Sequence, residues 1–127
     1  MNILLDTNRY SDLAQGIPEV VSLVAGAVEV YVPVIVLGEL RVGFRRGTRE
    51  NENEAALKAF LVKPGVAVLN VDEATSIHYA TIEAELREKG TPIPSNDVWI
   101  AALAKQHGLK LYSRDTHFKF VPQLELI

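Results

Sequence analysis

The sequence predicts an α/β protein with a doubly wound, mainly parallel sheet of four to five strands and helices on both faces. Short apolar segments alternate with longer helical segments along all 127 residues, and this alternation is typical of βαβ units. The apolar segments lack a polar face, as expected for strands that are covered on both sides. The length suits one domain, which we expect to span residues 1–127.

The first half of the chain is predicted to contain two strands and four helical segments. They are a strand at Asn2–Leu5, a helical turn at Tyr10–Ala14, a helix at Pro18–Gly26, a strand at Glu29–Val32, a helix at Pro33–Arg46 and a helix at about Asn51–Val62. Proline suits the first turn of a helix, and Gly47 suits the end of one.

The second half is predicted to alternate in the same way. Its elements are a strand at Val66–Val71, a long helix from Asp72 to about Gly90, a loop over residues 90–94, a helix from Ser95 to about His107, a strand at Leu109–Tyr112 and a short fifth strand at Leu124–Leu126. Asp72 and Ser95 are predicted to cap their helices, because short oxygen-bearing side chains accept hydrogen bonds from first-turn amides.

The composition narrows the possible chemistry. Hydrophobic residues make up 48% of the chain and charged residues 23%, which is typical of a globular protein. The chain has no basic, apolar leader and no apolar run near the roughly 18 residues of a membrane span, so we expect a cytoplasmic protein with no membrane contact. Cysteine is absent, which leaves oxygen and imidazole as metal ligands. Oxygen ligands favour Mg²⁺ or Mn²⁺.

Two acidic residues come after predicted strands. Asp6 directly follows Ile3-Leu4-Leu5, and Asp115 comes three residues after Tyr112. In open parallel sheets the functional site lies beyond the carboxyl ends of the strands. We therefore expect Asp6 and Asp115 at one edge of the sheet.

Two further acids lie inside apolar helices. Glu39 falls near Ile35 and Val42 at helical spacing, on the shoulder of an apolar face. Asp97 lies in the first turn of a helix that is apolar nearly all round, where a carboxylate can point at whatever lies beyond the helix end. Carboxylates in such surroundings are costly unless a cation holds them, and we favour a divalent metal.

Each acid also has a structural explanation. Asp6 and Asp115 could cap the turns after their strands, Asp97 could interact with the helix dipole, and Arg41 could neutralise Glu39. Together, four converging acids would repel one another unless a cation kept them ionised. If these four acids are counted as metal ligands, the rest of the chain has a formal net charge of +1 instead of −3. The negative net charge therefore does not exclude a nucleic-acid substrate.

Four motifs resemble the signature blocks of PIN-domain ribonucleases, and in particular those of VapC-type toxins of toxin-antitoxin modules. They are Leu5-Asp6-Thr7-Asn8, Gly38-Glu39-Leu40, Asn96-Asp97 with Trp99-Ile100-Ala101-Ala102, and Ser113-Arg114-Asp115 with His117-Phe118. Their order and spacing cover nearly the whole chain. Ser113 stands where the family often has threonine, and Arg9 stands where an apolar residue is common.

The resemblance implies a PIN-like fold and a Mg²⁺- or Mn²⁺-dependent endoribonuclease that cleaves RNA with metal-activated water. It also implies a toxin that forms homodimers and is inhibited by a cognate antitoxin protein. The residues that match the catalytic and metal-binding acids are Asp6, Glu39, Asp97 and Asp115, and those that match supporting polar positions are Thr7, Asn8 and Ser113.

Several other residues invite an interpretation. Arg41, Arg45 and Arg49 recur every four residues and would form a basic stripe, either solvated or in contact with RNA or antitoxin, if their helix continues that far. His117 is close to Asp115 in sequence and could touch substrate, but we favour packing of the His117-Phe118 pair. We expect Trp99 to lie in the core.

Three rival functions remain open at this point. A receiver-like regulatory domain could use Asp72 as its phosphoacceptor, although Asp72 also suits a helix cap and such domains need a cluster of acids after the first strand. A housekeeping PIN nuclease would share the acids without being a toxin. A degenerate PIN fold used only for binding would be expected to lack one or more of the four acids, and all are present.

Overall fold

Four parallel strands form the centre of the computed structural model, which describes all 127 residues. The strands are β1 (Asn2–Leu5), β2 (Glu29–Pro33), β3 (Val66–Leu69) and β4 (Lys110–Tyr112), and they lie side by side in the order β3-β2-β1-β4. Leu4 in β1 pairs with Tyr31 on one side and with Leu111 on the other. The predicted fold class is therefore confirmed.

Helices make each connection between strands. They are α1 (Thr7–Ala14) and α2 (Pro18–Gly26) between β1 and β2, α3 (Val34–Arg46) and α4 (Glu50–Leu61) between β2 and β3, and α5 (Glu73–Lys89) and α6 (Ser95–His107) between β3 and β4. A 3₁₀ helix, Thr116–Phe120, follows β4. None of the helices has the length and apolar character needed to cross a membrane.

The strand order creates a switch point between β1 and β4. The chain moves outward from β1 to β3 and then returns to the other side of β1. Because parallel crossovers are almost always right-handed, this reversal puts α5 and α6 on the opposite face of the sheet from the first four helices. A crevice opens where the direction of winding reverses, and ligands bind there in open α/β sheets.

The core is centred on β1 and α6. Ile3, Leu4 and Leu5 are fully buried, and seven residues of α6, including Asp97, are buried as well. This confirms the prediction that α6 is covered on nearly every side. Trp99 does not lie in the core as predicted, because it is only half-buried and stacks on Tyr79 of α5, with 4.0 Å between the ring centroids.

The two ends of the sheet differ from the sequence prediction. β3 ends at Leu69, two residues early, and exposes Ala67 and Val68 because it is an edge strand. The fifth strand is reduced to one parallel bridge, in which Leu126 lies beside Leu111 of β4. Leu111 donates its amide to the carbonyl of Glu125 at 2.8 Å and accepts the amide of Ile127 at 3.0 Å, and this one residue makes the whole pairing.

Capping decides where the helices begin. α1 starts at Thr7 rather than Tyr10, because Asp6 accepts a hydrogen bond from the Thr7 amide. Asp72 caps α5 as predicted, in a capping box with Thr75. The prediction for Ser95 was wrong: Ser95 is the first helical residue, and Pro94 before it offers no side-chain cap.

Candidate functional site

The four predicted acids come together at the switch point between β1 and β4. Asp6 follows β1, Asp115 starts the 3₁₀ helix after β4, Glu39 lies in the middle of α3, and Asp97 lies in the first turn of α6. Burial raises the pKa of Asp6, and the charges of Glu39 and Asp115 raise it further. Because the charges of Asp6 and Asp115 also act on Asp97, the four carboxylates form one acidic cluster, and we call the space between them the pocket.

Asp6 is both a helix cap and a site residue. One of its oxygens accepts a hydrogen bond from the Thr7 amide at 2.8 Å, and the other accepts one from the Ser113 hydroxyl at 2.5 Å. Its own amide donates to the carbonyl of Tyr112 at 3.1 Å, which extends the pairing of β1 with β4. The capping explanation is therefore correct for Asp6 without removing the carboxylate from the pocket.

The predicted supporting residues contact the acids directly. The Thr7 hydroxyl donates to Glu39 Oε1 at 2.6 Å. Asn8 Nδ2 lies 3.4 Å from Asp6 Oδ2 and 3.3 Å from the Ser113 hydroxyl. The same hydroxyl accepts a hydrogen bond from the Asp115 amide at 3.0 Å. These bonds link the ends of both central strands to α3 and fix how the carboxylates point.

His117 lies in the site, although the sequence interpretation favoured packing with Phe118 over such a role. Its Nδ1 lies 3.0 Å from Asp97 Oδ2 and 3.0 Å from Asp115 Oδ1. Phe118 is fully buried, whereas the His117 side chain is 46% exposed. The two do not pack together because a 3₁₀ helix has three residues per turn and points adjacent side chains apart. The spacing of Asp115 and His117, two residues apart after a strand, was the available signal.

The sequence interpretation also did not predict that Asn96 contacts one of the acids. Its side-chain amide lies 3.4 Å from Glu39 Oε2, so Glu39 receives donors from both α1 and α6. Asn96 precedes Asp97 in the same helical turn. This hydrogen bond is long, and it links α3 to α6 beside the pocket.

The electrostatics of the pocket favour a cation. Burial raises the pKa of Asp97 to about 6, and the charges of Asp115 and Asp6 add to the effect, although the hydrogen bond from His117 opposes it. The same hydrogen bond to Asp97 raises the pKa of His117. The imidazole thus compensates part of the buried negative charge, and the net effect on Asp97 remains unfavourable to ionisation.

The donor set suits a divalent ion. Asp97, Asp115 and His117 each offer one ligand atom, and these atoms all lie within 4.8 Å of one another. Carboxylate oxygens and an imidazole nitrogen are common ligands of divalent metals. The residues present therefore fit a metal centre, with Asp6 and Glu39 on the adjoining wall.

The three arginines do not form the basic stripe that their spacing suggested. α3 ends at Arg46, so Arg49 lies beyond the helix. Each arginine pairs with a glutamate of α4: Arg41 with Glu54 at 2.8 Å, Arg45 with Glu50 at 3.7 Å, and Arg49 with Glu52. The first two pairs join α3 to α4, the third lies at the start of α4, and all three neutralise the charge of an arginine.

Arg9, whose role the sequence left open, has a structural one. Its guanidinium lies over the Tyr112 ring, 4.6 Å from the centroid, and 3.2 Å from the carboxylate of Asp12. Arg114 contacts the same carboxylate at 2.8 Å. The two arginines therefore connect α1 to the end of β4 beside the pocket.

A sheet of this order, with four acids at its switch point, is the architecture of the PIN domain, and residues 3–124 match that family. The protein belongs to the PIN-domain family, in its branch of VapC-type ribonucleases. It is 32% identical to Ribonuclease VapC4 of Mycobacterium tuberculosis over 76% of this chain and 74% of the relative. It is 34% identical to Toxin FitB of Neisseria gonorrhoeae over 90% of this chain and 88% of the relative.

Solved structures agree across the whole chain. VapBC2 of Rickettsia felis bound to promoter DNA is similar with a TM-score of 0.86 and 26% identity, covering 100% of this chain and 98% of that one. VapBC-5 of Mycobacterium tuberculosis, from a family of toxin-antitoxin systems, has a TM-score of 0.76 and 25% identity, covering 99% and 97%. The PIN-like fold expected from the motifs is therefore confirmed.

Replacing Asp97 by asparagine should stabilise the metal-free protein at neutral pH. The pKa of Asp97 in the folded protein is about 6, above the ordinary value of 3.8. Protonation of Asp97 therefore stabilises the folded wild type, fully so below about pH 4, and this stabilisation is lost as the pH rises through 6. At pH 7 we expect the free energy of unfolding of Asp97→Asn to exceed that of the wild type by about 1–3 kcal/mol. Urea unfolding in EDTA between pH 4 and pH 7 measures the difference, which should grow with pH.

Asp12→Asn is the matched control with the opposite sign. The hydrogen bond from Arg114 lowers the pKa of Asp12, so its ionised form stabilises the folded state at neutral pH, and the amide should be less stable than the wild type. A loss of stability in Asp97→Asn at pH 7 would mean that Asp97 is a structural residue.

Proposed function

We propose that this protein is a metal-dependent endoribonuclease that acts as the toxin of a type II toxin-antitoxin module and cleaves RNA phosphodiester bonds. The observation that carries the proposal is the acidic pocket at the switch point, where burial and neighbouring carboxylates both raise the pKa of Asp97. A divalent ion relieves this repulsion and is also what phosphodiester hydrolysis needs. RNA and a co-produced antitoxin meet in the cytoplasm, which is the location we propose.

The chain's own residues have separate tasks in this proposal. Asp97 and Asp115 hold Mg²⁺ or Mn²⁺, and Asp6 and Glu39 complete the catalytic acids. When bound, the ion activates water and stabilises charge on the phosphate and the leaving oxygen.

Hydroxyl groups and an amide keep the acids in position. The Thr7 hydroxyl orients Glu39, and the Ser113 hydroxyl orients Asp6 while accepting the Asp115 amide. Asn8 bridges Asp6 and Ser113. Positioning of this kind matters because catalysis depends on groups held near their reactive geometry.

RNA cleavage should require the metal and the acids. We expect Mg²⁺ or Mn²⁺ to support cleavage of total RNA and EDTA to abolish it, because no protein group replaces the ion's charge. Asp6→Asn, Asp97→Asn and Asp115→Asn should each reduce cleavage by at least about a hundredfold. Sequencing of RNA ends after incubation with pure protein measures both the rate and the cut sites.

Asp72→Asn is the matched control and also tests the receiver alternative. Asp72 caps α5 and accepts a hydrogen bond from Gln106 at 3.0 Å, about 14 Å along α6 from Asp97. This variant should cleave RNA at the wild-type rate. Cleavage that persists in EDTA would contradict the metal mechanism, and labelling of Asp72 by acetyl phosphate would support the receiver function instead.

An antitoxin partner is favoured by two surfaces. The acidic pocket attracts a basic side chain, which would displace metal and exclude RNA at once. On another side of the molecule, a groove of about 430 Å³ opens between α2, the start of β2 and the end of α4, and its lining is mostly apolar. We propose that an antitoxin inserts a basic residue into the pocket and lays an apolar segment in this groove. The presence of VapBC toxin-antitoxin systems among the solved relatives supports such a partner.

A charged residue in the groove should prevent inhibition by the antitoxin without reducing the toxicity of the protein. Val24→Asp places a carboxylate among the groove residues, so the variant should keep its ribonuclease activity but escape the antitoxin in a growth-rescue assay. Val62→Asp is the control, because Val62 is 81% exposed and outside the groove lining. Recovery of the protein alone from its native host, with cells tolerating its overexpression, would favour the housekeeping nuclease.

A homodimer through α3 is the second proposed assembly. Val34, Gly38 and Val42 recur every four residues and are exposed, with Val42 at 51%. This apolar row runs beside Glu39, so a second copy packed there would bring two pockets close together. Exposed apolar rows on a helix commonly mark such interfaces.

Val42→Lys should convert the dimer into a monomer, because pairing by twofold symmetry places two like charges in one interface. Light scattering after size-exclusion chromatography measures the mass, and Val62→Lys serves as the control. A wild-type protein that is monomeric at about 100 μM would rule out a stable dimer, since that concentration exceeds ordinary dimer dissociation constants.

A further inference from the structure

His117 occupies an unusual place between two carboxylates of the pocket. Its Nδ1 is 3.0 Å from Asp97 Oδ2 and equally far from Asp115 Oδ1. One ring nitrogen carries at most one proton, so Nδ1 cannot donate a full hydrogen bond to both oxygens. The Asp115 oxygen already accepts the His117 amide at 2.9 Å.

The same distances are those of neighbouring ligands around one ion. Bonds of about 2.1 Å at right angles, as in an octahedral site, separate adjacent ligand atoms by about 3.0 Å. Nδ1 has this separation from each of two carboxylate oxygens, and all three ligand atoms lie within 4.8 Å of one another. A small shift toward a common centre would let all three bind one ion.

The backbone around His117 is held in place, which suits a residue that binds a metal. The fully buried Phe118 anchors the 3₁₀ helix, and the bond from the His117 amide to Asp115 ties this helix to the pocket. The side chain of His117 is nevertheless 46% exposed, so an ion and its water ligands can reach the ring without crossing the core.

We propose that His117 Nδ1 is a direct metal ligand and that the site therefore prefers a divalent first-row transition ion over Mg²⁺. This inference rests on the proposed function, because it concerns the same metal centre. Imidazole nitrogen binds transition ions well and Mg²⁺ poorly, whereas carboxylates bind both. An all-carboxylate pocket would lack this preference.

Pulsed EPR of the Mn²⁺-loaded protein tests the ligand directly. A coordinated imidazole couples its ¹⁴N nucleus to the Mn²⁺ electron spin, so we expect nitrogen modulation in the wild type and none in His117→Gln. His107→Gln is the matched control, because His107 lies at the far end of α6 from Asp97, and it should keep the signal. Absence of the signal in the wild type, or its persistence in His117→Gln, overturns the inference.

Competition between Mn²⁺ and Mg²⁺ gives a second readout that does not depend on activity. We expect the ratio of Mn²⁺ to Mg²⁺ affinity to fall by about tenfold or more in His117→Gln and to stay unchanged in His107→Gln. Mn²⁺ binding without nitrogen modulation would overturn only the role of His117, in favour of a hydrogen bond to a ligand carboxylate. A wild type that binds neither ion would overturn the proposed metal centre as well.

Discussion

The hydrogen bond between Asp6 and Ser113 joins the ends of the two central strands, and the rest of the site depends on it. β1 and β4 are neighbours in space although more than a hundred residues separate these two side chains. The Ser113 hydroxyl also accepts the amide of Asp115, so one oxygen fixes two of the four acids. Asp6 also caps α1. The start of that helix and the shape of the pocket therefore cannot change independently.

The pocket concentrates negative charge at a cost to the metal-free protein. Burial and neighbouring carboxylates oppose the ionisation of Asp97, and only His117 lies close enough among the cations to compensate it. This conflict is a physical reason for both the proposed metal and the proposed antitoxin contact. A bound ion relieves the repulsion and supplies the chemistry, and a basic side chain from a partner would relieve it without supplying any.

The remaining surfaces serve different purposes from the pocket. Arginine-glutamate pairs connect α3 with α4 and neutralise the charges of Arg41 and Arg45. Exposed pairs of this kind contribute little stability, so their main consequence here is to neutralise charge. The apolar row of α3 and the groove beside α2 are better suited to protein partners, because burying them removes apolar area from water.

The sequence by itself determined the order of the elements, the parallel sheet and the identity of the acids. Short apolar runs and period-3.6 patterns involve neighbouring residues, so Asp6 at the end of a strand, or Asp97 in an apolar helix, can be recognised without a structure. Only the tertiary structure decided which side chains meet. The place of His117 depends on the 3₁₀ helix that rotates it away from Phe118, and the pairing of Arg41 with Glu54 depends on the angle between α3 and α4. The predicted fifth strand forms only a single bridge, between Leu126 and Leu111. Such contacts join residues that local periodicity cannot relate, because their distance is set by how the whole chain packs.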